Sequence, residues 1–328
     1  MYDNIRLLMP YPFKDVPDRG RFCSRFGLFV KDEKKKILHN KGYETLNQNK
    51  GIYIKIELPT EKRKGNILLS FSLHKFYNAM KSKGMYNYND FDFIRANDAG
   101  QMIRELLNID LSTAIVKKFE IGINIVTMGD PDEYMKELSM IRVKAREMRI
   151  IEDLHYKEFK QFSTHKDRDK RIIYIFYNKT FEARSKTKDI EKRATIPDNI
   201  LRVEKDTHRP IEKIFFNQLF NPVYQQLLKQ EFKQRFVLDL TYKGTPTKTK
   251  DITAKQLQIW EQLQEKGEAE IKQHYENLCK QGAITKRQYY YSIQQIEEIN
   301  RKKIQPIITI SKNAKELKKL IISKLNDI

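Results

Sequence analysis

The chain has 328 residues, with 63 Lys and Arg against 43 Asp and Glu, a net charge of +20 and a mean hydropathy of −0.68. No window approaches the ~20 consecutive apolar residues of a membrane span, and Asp3, Pro10, Pro12 and Asp15 interrupt the only apolar stretch that could serve as a signal peptide. Two cysteines, Cys23 and Cys279, exclude a disulfide framework, and 40% apolar residues exclude a disordered basic tail. The expectation is a cytoplasmic, globular protein without a membrane partner, whose charge calls for a polyanion, most simply nucleic acid.

Arg21–Val30 is aromatic and β-branched enough for a strand. Ile52–Leu58 alternates at period two and pairs across the turn Pro59–Gly65 with Asn66–Leu73 as a hairpin. After a polar Gly/Asn/Tyr loop, Lys81–Asp90, the spacing predicts a helix over Phe91–Leu107. Lys118–Val126 sets Phe119, Ile121, Ile123 and Ile125 on one face of a strand and leaves Glu120 and Asn124 on the other. A helical region is expected over Asp132–Phe162. Arg171–Tyr177 is apolar on both faces and reads as a central strand. Asn199–Lys205 turns Leu201 and Val203 inward, with Arg202 and Glu204 opposite. Asn221-Pro222 is an N-cap and first-turn pair, and Gly244–Lys250 reads as a linker. Thr253-x-x-Gln256 and Thr285-x-x-Gln288 are capping boxes that open long charged helices joined at Gln281-Gly282, and a last helix covers Asn313–Leu325. The fold class is α+β, an antiparallel-sheet domain over 1–243 followed by a helical C-terminal region, 244–328.

The densest chemistry lies in Tyr174-Ile-Phe-Tyr177-Asn178-Lys179-Thr-Phe-Glu182-Ala-Arg184, followed by Leu201-Arg202-Val203-Glu204. A strand ends on a phenol, and a basic segment containing Lys179, Arg184, Lys186, Lys188, Lys192 and Arg193 follows at once. A phenolate can attack a phosphodiester and hold the 5′ end covalently. A carboxylate-held divalent cation and nearby Lys or Arg would stabilise the developing charge. Glu120 and Glu204 occupy polar strand faces and could share a hard cation if their strands are neighbours. The alternative for each is ordinary: a packing tyrosine, a solvated basic loop and a surface ion pair. His74 reads as a structural histidine at a strand end. No two histidines stand at i, i+2, and no Walker loop, zinc spacing or Gly-x-Ser-x-Gly elbow occurs.

These residues resemble the rolling-circle replication initiators of small Gram-positive plasmids (the Rep-trans type). They also resemble related phage and plasmid initiators that carry Ser-Leu-His-Lys-x-x-Asn, Asn-Tyr-Asn-Asp-Phe and Glu-x-Gly-x-Asn-Ile, here Ser72–Asn78, Asn87–Phe91 and Glu120–Ile125. The four blocks run in order over about Asn66–Arg209. The resemblance implies a nicking domain lacking the His-hydrophobic-His motif. Its activity would be metal-dependent, site-specific DNA nicking and joining, on single-stranded or hairpin origin DNA and alongside a helicase. Matched by motif, Tyr177 would be the nucleophile and Lys179 would contact the scissile phosphate. Glu120, Glu182 and Glu204 would hold Mg²⁺ or Mn²⁺. Arg184 and Arg202 would face the DNA backbone, with Lys186 and Lys188 on the same basic segment. The resemblance favours a homodimer. Tyr174 is the rival nucleophile, and a sequence-specific initiator that binds without cutting is the rival function. An RNA-binding or transposon-borne relative is a third reading. A tyrosine recombinase ranks last, for want of an Arg/His/Arg set with a C-terminal Tyr.

Overall fold

In a computed structural model, the structure describes residues 2–10, 19–32, 37–40, 48–62, 64–143, 146–152, 161–164, 172–208, 210–242, 244–247, 253–302 and 307–328. They form two compact units, Met1–Thr241 with Asn313–Ile328, and Tyr242–Lys312. The last predicted helix thus belongs to the first unit rather than to the C-terminal helical region. Among the described residues, no helix is long and apolar enough to cross a membrane.

The first unit is built on twelve strands in the order β12-β7-β8-β9-β10-β11-β6-β1-β5-β4-β3-β2. In chain order these are β1 (Tyr2–Pro10), β2 (Phe29–Asp32), β3 (Ile37–His39), β4 (Tyr53–Glu57), β5 (Asn66–Ser72), β6 (Ile115–Val126) and β7 (Leu138–Val143). The remainder are β8 (Arg146–Glu152), β9 (Gln161–Thr164), β10 (Ile172–Asn178), β11 (Ile200–His208) and β12 (Leu240–Tyr242). The pairings of β1 with β5 and β6, of β11 with β6 and β10, and of β4 with β5 are all antiparallel. The expected hairpin and the three further strands expected over Lys118–Val126, Arg171–Tyr177 and Asn199–Lys205 are therefore present, and the architecture is α+β around a large antiparallel sheet.

Six helices of this unit flank or interrupt the strands: α1 (Arg19–Arg25), α2 (Leu73–Met80), α3 (Phe93–Leu107), α4 (Pro131–Lys136), α5 (Lys179–Lys186) and α6 (Ile190–Ala194). A 3-10 turn, Phe216–Phe220, precedes α7 (Pro222–Lys233), whose N-cap Asn221 accepts from the amides of Val223 and Tyr224. Ser72 ends β5 and caps α2 by accepting from the Lys75 amide, so His74 sits in a helix's first turn rather than at a strand end.

One face of the sheet is apolar. Phe119, Ile121, Ile123 and Ile125 of β6 and Leu201 and Val203 of β11 are all buried. On β10, Tyr174 and Phe176 each set their rings against Phe236, with centroids 5.5 Å apart. Tyr2 lies edge-on to Phe93, Phe119 and Phe220 and donates its hydroxyl to the Leu219 carbonyl.

Two sequence expectations are corrected. The strand expected over Arg21–Val30 is helix α1 up to Arg25, with β2 beginning only at Phe29. Phe22 and Phe26 stand four residues apart and pack with centroids 4.8 Å apart, so the aromatics serve the face of a helical turn. The helical region expected over Asp132–Phe162 is α4 followed by strands. β7 pairs with β8, β8 with β9, and β9 with β10. Extension of an existing sheet outweighs weak helical propensity there; residues 144–145 and 153–160 lie outside the described residues.

The second unit begins with β13 (Gly244–Thr247), paired antiparallel with β14 (Ile307–Ile310), so part of the expected linker is a short strand. Residues 248–250 lie outside the described residues. Both capping boxes form, with Thr253 and Gln256 reciprocally bonded, as are Thr285 and Gln288. Gly267, at φ +79°, splits the first long pattern into α8 (Ala254–Lys266) and α9 (Glu268–Lys280). With α10 (Lys286–Lys302) these helices bury Ile259, Ile271, Tyr275, Ile296 and Ile299. The final helix, α11 (Lys312–Asn326), buries Ala314, Leu317, Ile321 and Leu325.

Candidate functional site

The opposite face of the sheet is polar and is set by strand register. β11 places Arg202 opposite Asn124, Glu204 opposite Gly122 and Asp206 opposite Glu120 on β6. On its other side, β10 places Tyr177 opposite Arg202 and Ile175 opposite Glu204. Because side chains alternate along each strand, one phenol, one guanidinium and three carboxylates converge on this face.

A fourth carboxylate comes from β1. The register shifts between Tyr2 and Ile5, and Asp3 and Asn4 both reach the polar face. Asp3 accepts from Arg202 Nη2 at 3.1 Å and from Asn87 Nδ2 at 2.6 Å, and the hydroxyl of Ser72 donates to its other oxygen. The side chain of Asn4 donates to Glu120. Asp3 escaped the sequence reading because an acid beside Tyr2, in an otherwise alternating strand, gives no sign that a bulge will turn it inward.

Arg202 is the hub. Its Nε donates to Glu204 Oε1 at 2.7 Å and its Nη1 to Asn124 Oδ1 at 3.0 Å, which with Asp3 satisfies the fork on three sides. Gly122 makes this possible. A Cβ there would lie 2.7 Å from Arg202 Nη2 and 2.8 Å from the Cγ of Glu204, so the strand is bare where the guanidinium crosses it. Burial disfavours the charge of Arg202, but Glu204 and Asp3 beside it hold the guanidinium above its ordinary pKa. Burial likewise opposes ionisation of Asp3, and the facing Arg202 holds its carboxyl well below the usual range.

Glu120 behaves in the opposite way. Burial, then the charges of Glu204, Asp3 and Asp206, push its carboxyl up to about 8, although Lys118 Nζ lies 2.8 Å from one oxygen. Lys118 also bridges to Asp206 at 3.0 Å. Four carboxylates thus share two cations on this face, a local excess of negative charge. Ligand oxygens of Asp3, Glu120 and Glu204 all lie within 4.8 Å of one another. Hard oxygen donors with uncompensated negative charge suit a hard divalent cation, and the residues fit one on that ground.

The two tyrosines separate cleanly. Tyr174 is on the apolar face, bonded to Arg235 and pushed up to about 12, first by burial. Tyr177 is on the polar face, its hydroxyl 3.2 Å from Glu204 Oε1. It is 8% exposed, and burial followed by the Glu204 charge raises its pKa well above the ordinary phenol value. Asn178 then caps α5 by accepting from the Phe181 amide, and the helix turns Lys179 back beneath the phenol. Lys179 Nζ stands 5.5 Å from the Tyr177 ring centroid and 2.8 Å from Glu182 Oε2. Burial lowers the pKa of Lys179, which Glu182 opposes.

The remaining predicted residues fall elsewhere. The carboxylate of Glu182 is taken by Lys179 and Lys186 and stands outside the trio of Asp3, Glu120 and Glu204. Arg202, expected to face a DNA backbone, is interior, because the carboxylates on both sides of it hold it there. Arg184 bonds the Ile196 carbonyl and Asp198, whereas Lys186 and Lys188 are on the surface.

A cavity of about 310 Å³ is lined by Gly122, Asn124 and Arg202 of this face. Its wall includes His74 and the Asn89–Asp92 segment, and Lys324 and Asp327 close another side. His74 stacks on Phe91 with centroids 4.5 Å apart, its Nε2 lies 2.7 Å from Asn89 Oδ1, and burial pulls its pKa down to about 3. The ring is therefore neutral at physiological pH. Comparison of the chain with family models, curated proteins and solved structures finds no match.

Proposed function

We propose that the chain is a rolling-circle replication initiator that nicks and rejoins one strand of origin DNA through Tyr177. The observation that carries the reading is the phenol of Tyr177 in contact with Glu204, itself one of three carboxylates, from three strands, with oxygens within 4.8 Å. The raised phenol pKa means that Tyr177 starts protonated and needs a base in contact, and Glu204 is that base. As the phenol oxygen bonds to phosphorus, its proton passes to Glu204. The P–O3′ bond breaks, and the leaving 3′-oxygen takes a proton from bulk water as Glu204 returns the phenol proton to bulk water. The phosphodiester is conserved as a phosphotyrosine, so the reverse reaction rejoins the strand.

Asp3, Glu120 and Glu204 would hold Mg²⁺ or Mn²⁺, which when bound neutralises charge at the phosphoryl oxygens. Arg202, in the cavity lining, would exchange a carboxylate for the incoming phosphate, and Lys179 beneath the phenol would hold negative charge near the new bond. Lys186 and Lys188 would contact the backbone at the surface.

Incubation with a library of single-stranded hairpin DNA, Mn²⁺ and the full chain is the test, read as a protein–DNA adduct on a denaturing gel. The adduct is expected for wild type and Tyr174→Phe and lost in Tyr177→Phe. An adduct that survives Tyr177→Phe and disappears in Tyr174→Phe overturns the assignment. The saturation of Arg202 by Asp3, Glu204 and Asn124 favours a second reading, a DNA-binding initiator whose polar cluster is purely structural. Tight DNA binding with no adduct from any variant selects it.

A further inference from the structure

The loop Tyr86-Asn87-Tyr88-Asn89 has a division of labour that the chemistry above does not use. Its asparagines point inward. Asn87 donates to Asp3, and its carbonyl accepts from Asn124 Nδ2 at 3.1 Å. Asn89 bonds His74 and Asn78 through its side chain, and its carbonyl also accepts from Asn124, at 3.0 Å. Asn78 further donates to the Tyr86 carbonyl at 2.8 Å. Three elements, α2, β1 and β6, thereby pin Tyr86, Asn87 and Asn89, the residues on both sides of Tyr88. The tyrosine rings are not part of that inward network. Their rings are half-exposed and lie face to face, centroids 4.5 Å apart and planes within 13°.

We infer that the Tyr86–Tyr88 pair is a stacking platform for unpaired nucleobases, in the loop that continues into the cavity lining at Asn89. The inference rests on the proposed nucleic-acid partner and names the form in which it is taken, single-stranded. Asn89, one residue beyond Tyr88, lines the cavity together with Asn124 and Arg202, so a strand stacked on the rings is next to these groups. An aromatic face accepts any base, and only an unpaired, unstacked base has a π-face to offer. Exposed Lys81 and Lys83, earlier in the same loop, supply cations for the phosphates of that strand. Rings whose backbone is already fixed lose little freedom on binding, which favours affinity.

The test is fluorescence anisotropy of the full chain with labelled dT20 and with a matched duplex, without added metal. Stacking worth 1–3 kcal/mol per base predicts that Tyr86→Ala and Tyr88→Ala each weaken dT20 binding about 5- to 150-fold, with the salt dependence unchanged. Tyr→Phe and Tyr→Trp at either position restore it, and duplex affinity hardly moves. Lys83→Ala weakens binding less and lowers the salt slope by about 0.7. Alanine variants that bind dT20 as wild type does overturn the platform while leaving the nucleic-acid reading intact. So does a loss shared equally by duplex, or one matched by a lower melting temperature and not rescued by Phe. A wild-type chain that binds neither DNA overturns both.

Discussion

Strand β10 carries two tyrosines three residues apart that live in different chemical worlds. Tyr174 packs its ring against Phe236 and bonds Arg235 at its hydroxyl, whereas Tyr177 faces Arg202 and Glu204. The odd spacing decides this, since residues an odd number apart on a strand point to opposite faces. The comparison separates two ways of burying a large side chain. On the apolar face each added atom removes surface from water at little specificity cost. On the polar face each group is tolerable only because another group answers it, so the network is all-or-none.

The sharpest contrast comes from removing the centre of each face. Phe236→Ala is expected to cost about 3–5 kcal/mol by leaving a cavity. Arg202→Met is expected to cost about as much, 3–5 kcal/mol, by leaving Asp3 and Glu204 buried and unpaired. Urea unfolding measures both, and the two losses differ in remedy. Millimolar Mg²⁺ is expected to recover part of the loss in Arg202→Met and none in Phe236→Ala; equal recovery in both would break the comparison.

A smaller probe is Gly122→Ala, which forces the guanidinium off β6 and is expected to cost about 1–3 kcal/mol. Combined with Arg202→Met, its cost is expected to fall below additive, because the two guanidinium nitrogens it strikes are gone and only the Glu204 Cγ remains in its way. Additivity in that double mutant would show that Gly122 serves something other than Arg202.

The gentlest probe is pH. Glu120, pushed up to about 8, keeps its proton in the folded chain where the unfolded chain has released it. Stability attributable to this group is full below the ordinary glutamate pKa and is lost as pH rises through about 8. Glu120→Gln is expected to flatten the thermal-melting profile between about pH 5 and pH 9, whereas Phe236→Ala shifts it without changing its slope. An unchanged slope in Glu120→Gln would mean that the carboxyl is not held protonated by its neighbours.

Much of this site was legible as pattern. Alternation in Lys118–Val126 and Asn199–Lys205 marked Glu120, Asn124, Arg202 and Glu204 as polar-face residues, and the folded chain sets them on one face of two neighbouring strands, with Arg202 opposite Asn124. Asp3 was not legible, because a bulge has no local signature, and neither was Asp206, which lies beyond the end of the predicted strand. Glu182 looked equivalent to the other acids by its place near Tyr177. One helical turn was enough to give it to Lys179 and Lys186 instead.

Local physical chemistry by itself determined which residues share a strand face, where capped helices begin at Asn221, Thr253 and Thr285, and that the chain carries a large positive excess. Those features depend on periods of a few residues and on groups adjacent in sequence. Only the tertiary structure set Phe236 against Tyr174 and Glu204 against Tyr177, turned Arg202 into an interior hub and brought Asp3 to it across 199 positions of chain. The reason is that alternation defines two faces without saying which is covered, and charge pairing in the interior depends on which strands become neighbours.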